Sequence, residues 1–414
     1  MTTIINADTS GGLKLTSDTS GSLEIQSAGT TKFTVNSAGV DIPAIGTIDG
    51  LTSINGGQVG GRRNIVINGE MKLAQRSASV AGLGSGSGYF SLDRYRIGTN
   101  AASAGRFTMA QVADGPAGIA NCLKLTTTTA DTSIAAGERL IITQRFEGQD
   151  VQQLKKGTAS AEQVTVSFWV KGNAAALYVC ELFDSDNLRS ITQSFAVTTS
   201  WNRIELTFAA DTSDPLNDDN GNSLEINFWL HGGSTFTGGT FAVNTWNDYT
   251  EANRYAVADR TSIFDATSRT FFITGVQMEI GSTATDFESR SFGEELSLCR
   301  RYFRKFGGIA TQPLSQQGAQ YLDGNTIYFS YMADLSEMRA APTASLTGTV
   351  NTDYAVYQSG FTKQAGFAIG AVAYSSKVGV LFQTVKNGHG LSSIPQLYLG
   401  AGSTTGFLQL SAEL

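Results

Sequence analysis

The stretch VTVSFWVKG, Val164–Gly172, decides the fold class because apolar and polar residues alternate along it. Its apolar positions share one parity, namely Val164, Val166, Phe168 and Val170. A second stretch, LEINFWLHGG at Leu224–Gly233, repeats the pattern with Leu224, Ile226, Phe228 and Leu230. A period of two residues is typical of a β-strand with one buried face, so both stretches predict strands that cover a common core.

Similar strand candidates, separated by turn residues, fill residues 62–290 on either side of these two stretches. The 414-residue chain contains 46 glycines, only 6 prolines and 16% charged residues, a composition that favours many short strands and turns. The sequence therefore predicts an all-β protein with a central β-sandwich of the jelly-roll type over residues 62–290.

Residues 1–61 carry a short repeat with a period of ten: LKL at Leu13–Leu15, LEI at Leu23–Ile25 and FTV at Phe33–Val35. Because ten is even, the apolar residues of the three units can share one face of a strand meander. Burying a few such side chains at about 1.5–3 kcal/mol each cannot offset ordering the segment at about 1–2 kcal/mol per residue. We therefore expect an interwoven homotrimeric β shaft, with a disordered or domain-packed arm as the alternative.

The region 291–414 begins with a predicted helix that connects the central domain to a small C-terminal β domain. Ser291 and Glu294 form a capping box, and an apolar stripe follows at Leu296, Cys299 and Phe303. The glycine pair after Phe306 predicts that the helix ends near Phe306–Gly308. Short β runs then continue close to the C-terminus.

Each of the two opening strands places one tryptophan, Trp169 or Trp229, on its polar face. Glu225, Asn227 and His231 share that face with Trp229. An indole ring can stack on the C–H face of a sugar while neighbouring polar groups bind the hydroxyls, so these five residues form a candidate glycan-binding face. The alternative is that a loop or another subunit covers the tryptophans.

Catalytic and metal-binding motifs are absent from the sequence. The chain has only two histidines, His231 and His389, and it lacks GxSxG, HExxH and CxxC patterns, so we predict that it is not an enzyme. The acidic loop Asp211–Glu225 fails the EF-hand frame, but Asp218 and Asp219 remain weak candidates for a structural calcium ion. No other cofactor or metal is predicted.

Net charge and the cysteines limit the environment and the partners of the chain. A net charge of −7 disfavours nucleic acid as a partner, because phosphate binding needs clustered basic residues. No apolar run reaches the roughly 18 residues of a membrane span, so no membrane insertion is predicted. The polar N-terminal residues MTTIINADTSGG predict no signal peptide, and Cys122, Cys180 and Cys299 are expected to be buried thiols formed in a reducing cytoplasm.

Several segments resemble phage tail fibre proteins, especially those from phages of cyanobacteria and other marine bacteria. The repeat TSDTSGSLEIQSAGTTKFTVNSAGV resembles their N-terminal region, and RNIVINGEMKLAQR, LDRYRI, QRFEGQDVQQL and VTVSFWVKG resemble their central β domain. The most specific part is GVQMEIGSTATDFESRSFGEELSLCRRYF, Gly275–Phe303. EMRAAPT and the closing LSAEL are similar to their C-terminal part.

The resemblance implies a homotrimeric fibre that is attached to the virion, through tail or adaptor proteins, by its N-terminus. Its central domain is similar to carbohydrate-binding jelly rolls, which implies adhesion to polysaccharide on the host surface. Such proteins are virion components made in the host cytoplasm. Two alternatives stay open: a tailspike that cleaves glycan, and a purely architectural neck or capsid appendage.

Overall fold

The structure is a computed structural model that describes residues 62–100, 103–307, 338–347 and 407–414. Beyond these ranges it describes the backbone of individual strands within residues 23–58 and 317–401. The chain forms two compact units, Met1–Ile54 and Asn55–Leu414.

The first unit contains a three-stranded antiparallel meander. Its strands are β1 (Leu23–Ser27), β2 (Thr30–Asn36) and β3 (Gly39–Asp41), followed by the short β4 (Ser53–Ile54). Leu23 lies opposite Val35 and Ile25 opposite Phe33, so two of the three repeat units pair with each other in register. The LKL unit at residues 13–15 lies outside the described residues, and the trimeric shaft stays a prediction.

The second unit begins with strands that surround the two stretches with which the sequence analysis opened. In chain order they are β5 (Gly57–Gln58), β6 (Ser79–Leu83), β7 (Gly88–Tyr89), β8 (Arg96–Thr99), β9 (Arg106–Val112), β10 (Cys122–Thr129), β11 (Arg139–Glu147), β12 (Val164–Gly172), β13 (Ala176–Asp184), β14 (Arg189–Val197), β15 (Asn202–Phe208), β16 (Asn222–Gly232), β17 (Asn247–Asp248) and β18 (Thr270–Ile280). One-turn helices interrupt them at α1 (Gly148–Val151) and α2 (Ser234–Thr237), with 3-10 turns at Gln152–Leu154 and Glu251–Asn253.

These strands form two antiparallel sheets. The six-stranded sheet has the order β15-β12-β18-β10-β9-β6, and the seven-stranded sheet has the order β17-β14-β13-β16-β11-β8-β7. Successive strands cross between the sheets: β10 lies in the first, β11 in the second, β12 in the first and β13 in the second. The prediction of an all-β chain with a central sandwich of the jelly-roll type is confirmed.

The core lies between the inner faces of the two sheets. Phe168 of β12 contacts Phe195 of β14 and Phe228 of β16 edge to face, with ring centroids 5.1 Å and 5.0 Å apart. All the apolar positions predicted from the two opening strands are buried in this core. The alternating pattern therefore identified the inner face of each strand.

A helix follows the sandwich as predicted, but it is shorter than the sequence suggested. Helix α3 (Phe292–Arg300) begins at Ser291, whose side chain accepts a hydrogen bond from the Glu294 amide. The prediction that the helix continues to Phe306–Gly308 is wrong, because Phe303 begins a strand, β19 (Phe303–Gly307), that pairs with the C-terminal strand. Sheet pairing with a distant segment thus ends the helix.

Strands continue to the end of the second unit. They are β20 (Gln317–Tyr321), β21 (Thr326–Tyr331), β22 (Thr343–Thr347), β23 (Tyr354–Gln358), β24 (Thr362–Gln364), β25 (Ala368–Ser376), β26 (Gly379–Val385), β27 (Leu397–Ala401) and β28 (Phe407–Ser411). Strand β28 lies between β19 and β22 in a three-stranded sheet, with Gly307 opposite Phe407.

The residues after β28 contact the sandwich. Glu413 forms ion pairs with Arg94 at 2.5 Å and with Arg76 at 3.1 Å, and Arg145 donates a hydrogen bond to the main-chain oxygen of Leu414. The C-terminal segment is therefore anchored beside β8 and β11. The predicted domain boundaries at residues 61 and 290 stay predictions.

The three cysteines are free and buried, as the sequence predicted. Within the part of the chain that the structure describes, none of the helices has the length and apolar character needed to cross a membrane.

We expect Phe168→Ala to lower the free energy of unfolding by about 3–5 kcal/mol, because it removes the ring that joins Phe195 to Phe228 and leaves a cavity. Chemical denaturation monitored by tryptophan fluorescence measures the change. Leu188→Ala is the control, since Leu188 is 56% exposed and should change stability by no more than about 0.5 kcal/mol. Equal effects of the two variants would contradict this account of the core.

Candidate ligand-binding faces

Glu225, Asn227 and Trp229 alternate along the outer side of β16, as the sequence predicted, but they are buried. Their exposed fractions are 8%, 1% and 0%. The segment that follows β16 lies over them: the Trp229 ring is 5.2 Å from Phe236 and stacks on Tyr255 at 6.0 Å between ring centroids. Residues after the strand therefore cover this part of the seven-stranded sheet.

A buried ion pair holds this cover in place. Arg254 donates to Glu181 of β13 through Nε at 2.7 Å and Nη2 at 2.6 Å. The Trp229 indole N–H and the Asn227 amide also donate to Glu181, at 2.9 Å and 3.1 Å. Burial lowers the pKa of Arg254, but the Glu181 carboxylate raises it, and the net pKa lies above the usual value for arginine. The guanidinium therefore stays charged.

The Asn227 side chain connects this ion pair to Thr143 and Glu225. Asn227 Oδ1 accepts from Thr143 at 2.7 Å, and its Nδ2 lies 3.3 Å from Glu225. Glu225 in turn forms an ion pair with Arg145, with 2.8 Å between its carboxylate and Arg145 Nε. A buried network whose members satisfy one another specifies and stabilises local structure, and it leaves few groups free for a ligand.

The prediction that Trp229 offers a stacking surface is therefore corrected. Its indole is 0% exposed, packed against two aromatic rings and hydrogen-bonded to Glu181. The alternative that a loop covers this tryptophan describes what the structure shows. Glu225 and Asn227 bind each other, and Asn227 also donates to the Glu181 carboxylate that binds Arg254 of the cover.

His231 belongs to a different cluster at the far end of β16. It is six residues from Glu225, which is about 20 Å along a strand. Its Nδ1 lies 2.8 Å from Ser262 Oγ and its Nε2 lies 3.4 Å from Glu138, while Ser262 Oγ also accepts the Phe264 amide. Burial lowers the pKa of His231 to about 4, so the imidazole is neutral near pH 7.

Trp169 lies on the other sheet, which corrects the grouping of the five predicted residues. Strand β12 belongs to the six-stranded sheet and β16 to the seven-stranded sheet, and the core separates the outer faces of the two. Trp169 and Trp229 therefore cannot contact the same ligand from one chain. The two strands have the same residue pattern, but they belong to opposite sheets.

Trp169 is partly exposed and lies beside a second tryptophan that the sequence analysis did not single out. Trp201 comes directly before β15, the strand that pairs with β12. The Trp201 ring packs edge-on against Phe272 of β18, with centroids 6.2 Å apart. We call Trp169, Lys171, Trp201 and Phe272 the aromatic face.

Lys171 contributes a positive charge at the centre of the aromatic face. Its Nζ lies 5.0 Å from the Trp201 ring centroid and 4.9 Å from that of Phe272, within cation–π range. It also forms an ion pair with Asp114 at 2.8 Å. The aromatic face therefore combines flat apolar surface with charged groups that can donate or accept hydrogen bonds.

The Trp169 ring packs directly against the main chain of β18. Gly275 of β18 has φ +58°, and a Cβ placed there would lie 2.9 Å from the Trp169 ring and 2.8 Å from Ile119. A side chain at residue 275 would displace the indole. The glycine therefore lets the ring lie close to the sheet.

Two polar features complete this face. The Trp201 indole N–H is buried without a hydrogen-bond partner, which is unusual for a tryptophan in this environment. On the strand beside Trp169, Arg203 pairs with Glu205 at 3.0 Å. Parity along β15 could have identified Trp201, because it shares the outward phase of Arg203 and Glu205.

Among the described residues, Asp218 and Asp219 of the candidate calcium loop belong to no group of three or more side chains that could hold a metal ion. Asp218 and Asp219 are exposed, and Asp219 accepts a hydrogen bond from the Gly221 amide at 2.7 Å. Within the described ranges, no group of three or more His, Cys, Asp or Glu side chains could hold a metal ion. Calcium binding stays a prediction.

Comparison with known proteins gives weak likenesses of fold. No protein-family model matches the chain, and no curated protein matches it. Among solved structures, the family 11 carbohydrate-binding module of the cellulase Lic26A-Cel5E of Clostridium thermocellum is 14% identical, covering 51% of this chain and 99% of that module, with a TM-score of 0.25.

The enzymatically active domain of tailspike protein 4 of bacteriophage CBA120 is 13% identical, covering 52% of this chain and 21% of that one, with a TM-score of 0.28. A family 30 carbohydrate-binding module is 12% identical, covering 55% and 97%, with a TM-score of 0.25. Likenesses with TM-scores this low carry no argument, and the sandwich assignment rests on the sheets themselves.

We expect His231 to make stability depend on pH. Its pKa falls from 6.5 to about 4 on folding, so the unfolded chain binds the proton more readily. This contribution to the free energy of unfolding is fully present above about pH 6.5. As the pH falls to about 4, the free energy of unfolding decreases by about 3 kcal/mol. Denaturant unfolding of the wild type and His231→Gln between pH 4 and 7.5 measures it.

The fold also lowers the pKa of nearby Asp131 and raises that of Glu138, so the contribution of the histidine is measured by the difference between the two proteins. The variant should lose less stability on acidification than the wild type. Parallel pH profiles for the two would show that His231 is not held neutral by the fold.

Proposed function

We propose that this chain binds carbohydrate through the aromatic face and serves as the receptor-binding part of a phage tail fibre. The observation that carries the proposal is the pair of partly exposed tryptophans, Trp169 and Trp201, flanking Lys171 on the outer side of the six-stranded sheet. Indole rings offer flat apolar surface to the C–H face of a pyranose, and the Lys171–Asp114 pair offers partners to its hydroxyls.

The two sheets differ in which of their outward residues are buried by other segments of the chain, and this difference supports the choice of the aromatic face. On the seven-stranded sheet, the residues around Arg254 bury Trp229 and satisfy its polar neighbours. On the six-stranded sheet, Thr285 and its neighbours cover Gln277 and Glu279, but Trp169 and Trp201 remain partly exposed. Rigid sheet strands beneath the rings hold them in place before a ligand arrives, which lowers the entropy cost of binding.

Adhesion by such a surface works through many weak contacts. A shallow face binds a sugar weakly, but several copies on one fibre and many fibres on one particle raise the effective concentration of sites. The proposed fibre is a homotrimer, with residues 1–61 as its shaft and as the attachment to tail or adaptor proteins of the virion. The receptor is polysaccharide on the host surface, and no catalytic step is proposed.

The binding test uses immobilised neutral polysaccharides, namely dextran, mannan, galactan and mixed-linkage β-glucan, together with whole host cells where a host is known. We expect the double variant Trp169→Ala/Trp201→Ala to bind about tenfold or more weakly than the wild type to any polysaccharide that the wild type binds, because two stacking surfaces are lost. Phe292→Ala is the matched control, since this ring is 59% exposed on α3.

Unchanged binding by a folded double variant would remove the aromatic face from the site. Failure of the wild-type protein to bind any of these polysaccharides or host cells would count against the carbohydrate function itself.

The proposed trimer is tested by mass in solution. Light scattering coupled to size exclusion should give three times the 43.8-kDa chain mass for the full protein. Removal of residues 1–61 should lower this mass to that of single chains, because the repeat segment is expected to need partner copies. A full-length protein that stays a single chain at all concentrations would contradict the fibre proposal.

A further inference from the structure

Three arginines lie close together on the outer side of the seven-stranded sheet, away from the aromatic face. Arg96 is on β8, directly opposite Thr143 of β11, and Arg145 and Arg139 lie on β11 on either side of Thr143. Burial lowers the pKa of Arg96 most, and Arg145 and Arg139 lower it further, while Tyr89 and Glu225 act in the opposite direction. We call Arg96, Arg139 and Arg145 the arginine cluster.

The cluster has more positive charge than its protein neighbours neutralise. Glu225 pairs with Arg145 at 2.8 Å, and the main-chain oxygen of Leu414 accepts a second bond from Arg145. The Arg139 guanidinium lies 5.6 Å from the Phe236 ring. Among the described side chains, one carboxylate, that of Glu225, pairs with these three guanidinium groups, so positive side-chain charge is in excess in this part of the sheet.

Arg96 is the least satisfied member. Among the described residues, its guanidinium has no hydrogen-bond acceptor and no ion-pair partner, although it is only partly exposed. A guanidinium carries five N–H donors in a planar fork that matches carboxylate, sulfate and phosphate oxygens. Holding such a group partly out of water beside two like charges costs free energy that a bound anion would offset.

The Arg96 guanidinium lies over the main chain of its own strand. Gly98, two residues along β8, lies below the guanidinium: a Cβ there would be 3.5 Å from Arg96 Nη1 and 3.7 Å from Ile141 Cβ. Gly98 therefore lets the Arg96 guanidinium lie close to the main chain of the sheet.

We propose that the arginine cluster is a second binding site, specific for the anionic group of an acidic saccharide, such as a uronate carboxylate or a sulfate ester. Arg96 and Arg139 would bind the anion from two neighbouring strands, with Arg145 held in position by Glu225. That the anion is carried by a saccharide rests on the proposed function, whereas the preference for an anion rests on the charge balance of the cluster.

The test uses polygalacturonate, dextran sulfate and uncharged dextran as immobilised probes in low and moderate salt. We expect Arg96→Gln/Arg139→Gln to lower the affinity for one or both anionic probes about tenfold or more, since charge-assisted hydrogen bonds are lost. Binding to dextran should not depend on these two residues. The two anionic probes distinguish a carboxylate site from a sulfate site.

The matched control is Arg260→Gln, which removes one positive charge from an exposed arginine of the same sandwich. It should leave binding to both anionic probes within about twofold of the wild type, because exposed charges are largely screened by salt. Thermal unfolding of every variant shows whether it is folded. Arg96→Lys keeps the charge but not the fork, so it should restore only part of the affinity lost in Arg96→Gln.

The outcomes separate this proposal from the carbohydrate function of the aromatic face. Trp169→Ala/Trp201→Ala should retain the part of polygalacturonate binding that depends on Arg96, because the two faces lie on opposite sheets. Equal affinity of the folded arginine variant and the wild type for both anionic probes would overturn the proposal. If polyglutamate bound equally tightly and its binding depended on Arg96, the cluster would still be an anion site, but the proposal that a saccharide carries the anion would be overturned.

Discussion

The edge-to-face contact of Phe168 with Phe195 and Phe228 joins the two sheets, and the rest of the second unit depends on it. Burying these rings and their aliphatic neighbours supplies the main favourable free energy of the sandwich. The contact also determines the direction of every other side chain on β12 and β16, because an alternating strand with one face in the core must turn the other face outward. The aromatic face lies on the outward side of β12 and its neighbours, and the arginine cluster lies on β8 and β11, in the same sheet as β16.

The two outer faces differ in how far their polar and aromatic groups are satisfied from within the chain. On the seven-stranded sheet, Glu181 binds Arg254, Trp229 and Asn227 in one buried network, which fixes the cover and offsets part of the cost of burying the two charges. On the six-stranded sheet, Trp169 and Trp201 stay partly exposed. Groups left unsatisfied by the chain itself are the ones that a ligand can use.

Local patterns predicted the features that depend on local structure. Alternation identified the buried faces of β12 and β16, and the Ser291–Glu294 spacing identified the start of α3. The same alternation could not distinguish Trp169 from Trp229, because what covers each ring comes from elsewhere in the chain.

The Arg254–Glu181 pair joins residues that are 73 positions apart, and only the folded chain brings them together. The prediction of where α3 ends failed for the same reason. Strand β28 pairs with β19 from more than a hundred residues away, and this pairing overrides the helical tendency of the sequence around Phe303.

The register of β19 and β28 has a consequence for how such a protein can diversify. Gly307 lies opposite Phe407, so the chain departs for residues 308–406 and returns at adjacent positions of one sheet. An excursion whose two ends are already neighbours can be exchanged for another of different length or sequence without altering the path of the sandwich strands. Strand β22 pairs with the other side of β28, with Thr347 opposite Phe407, and Arg339 donates hydrogen bonds to the main-chain oxygens of Ala412 and Glu413. Recombination limited to residues 348–406 would therefore exchange a cassette and keep these contacts together with the Glu413–Arg94 anchor.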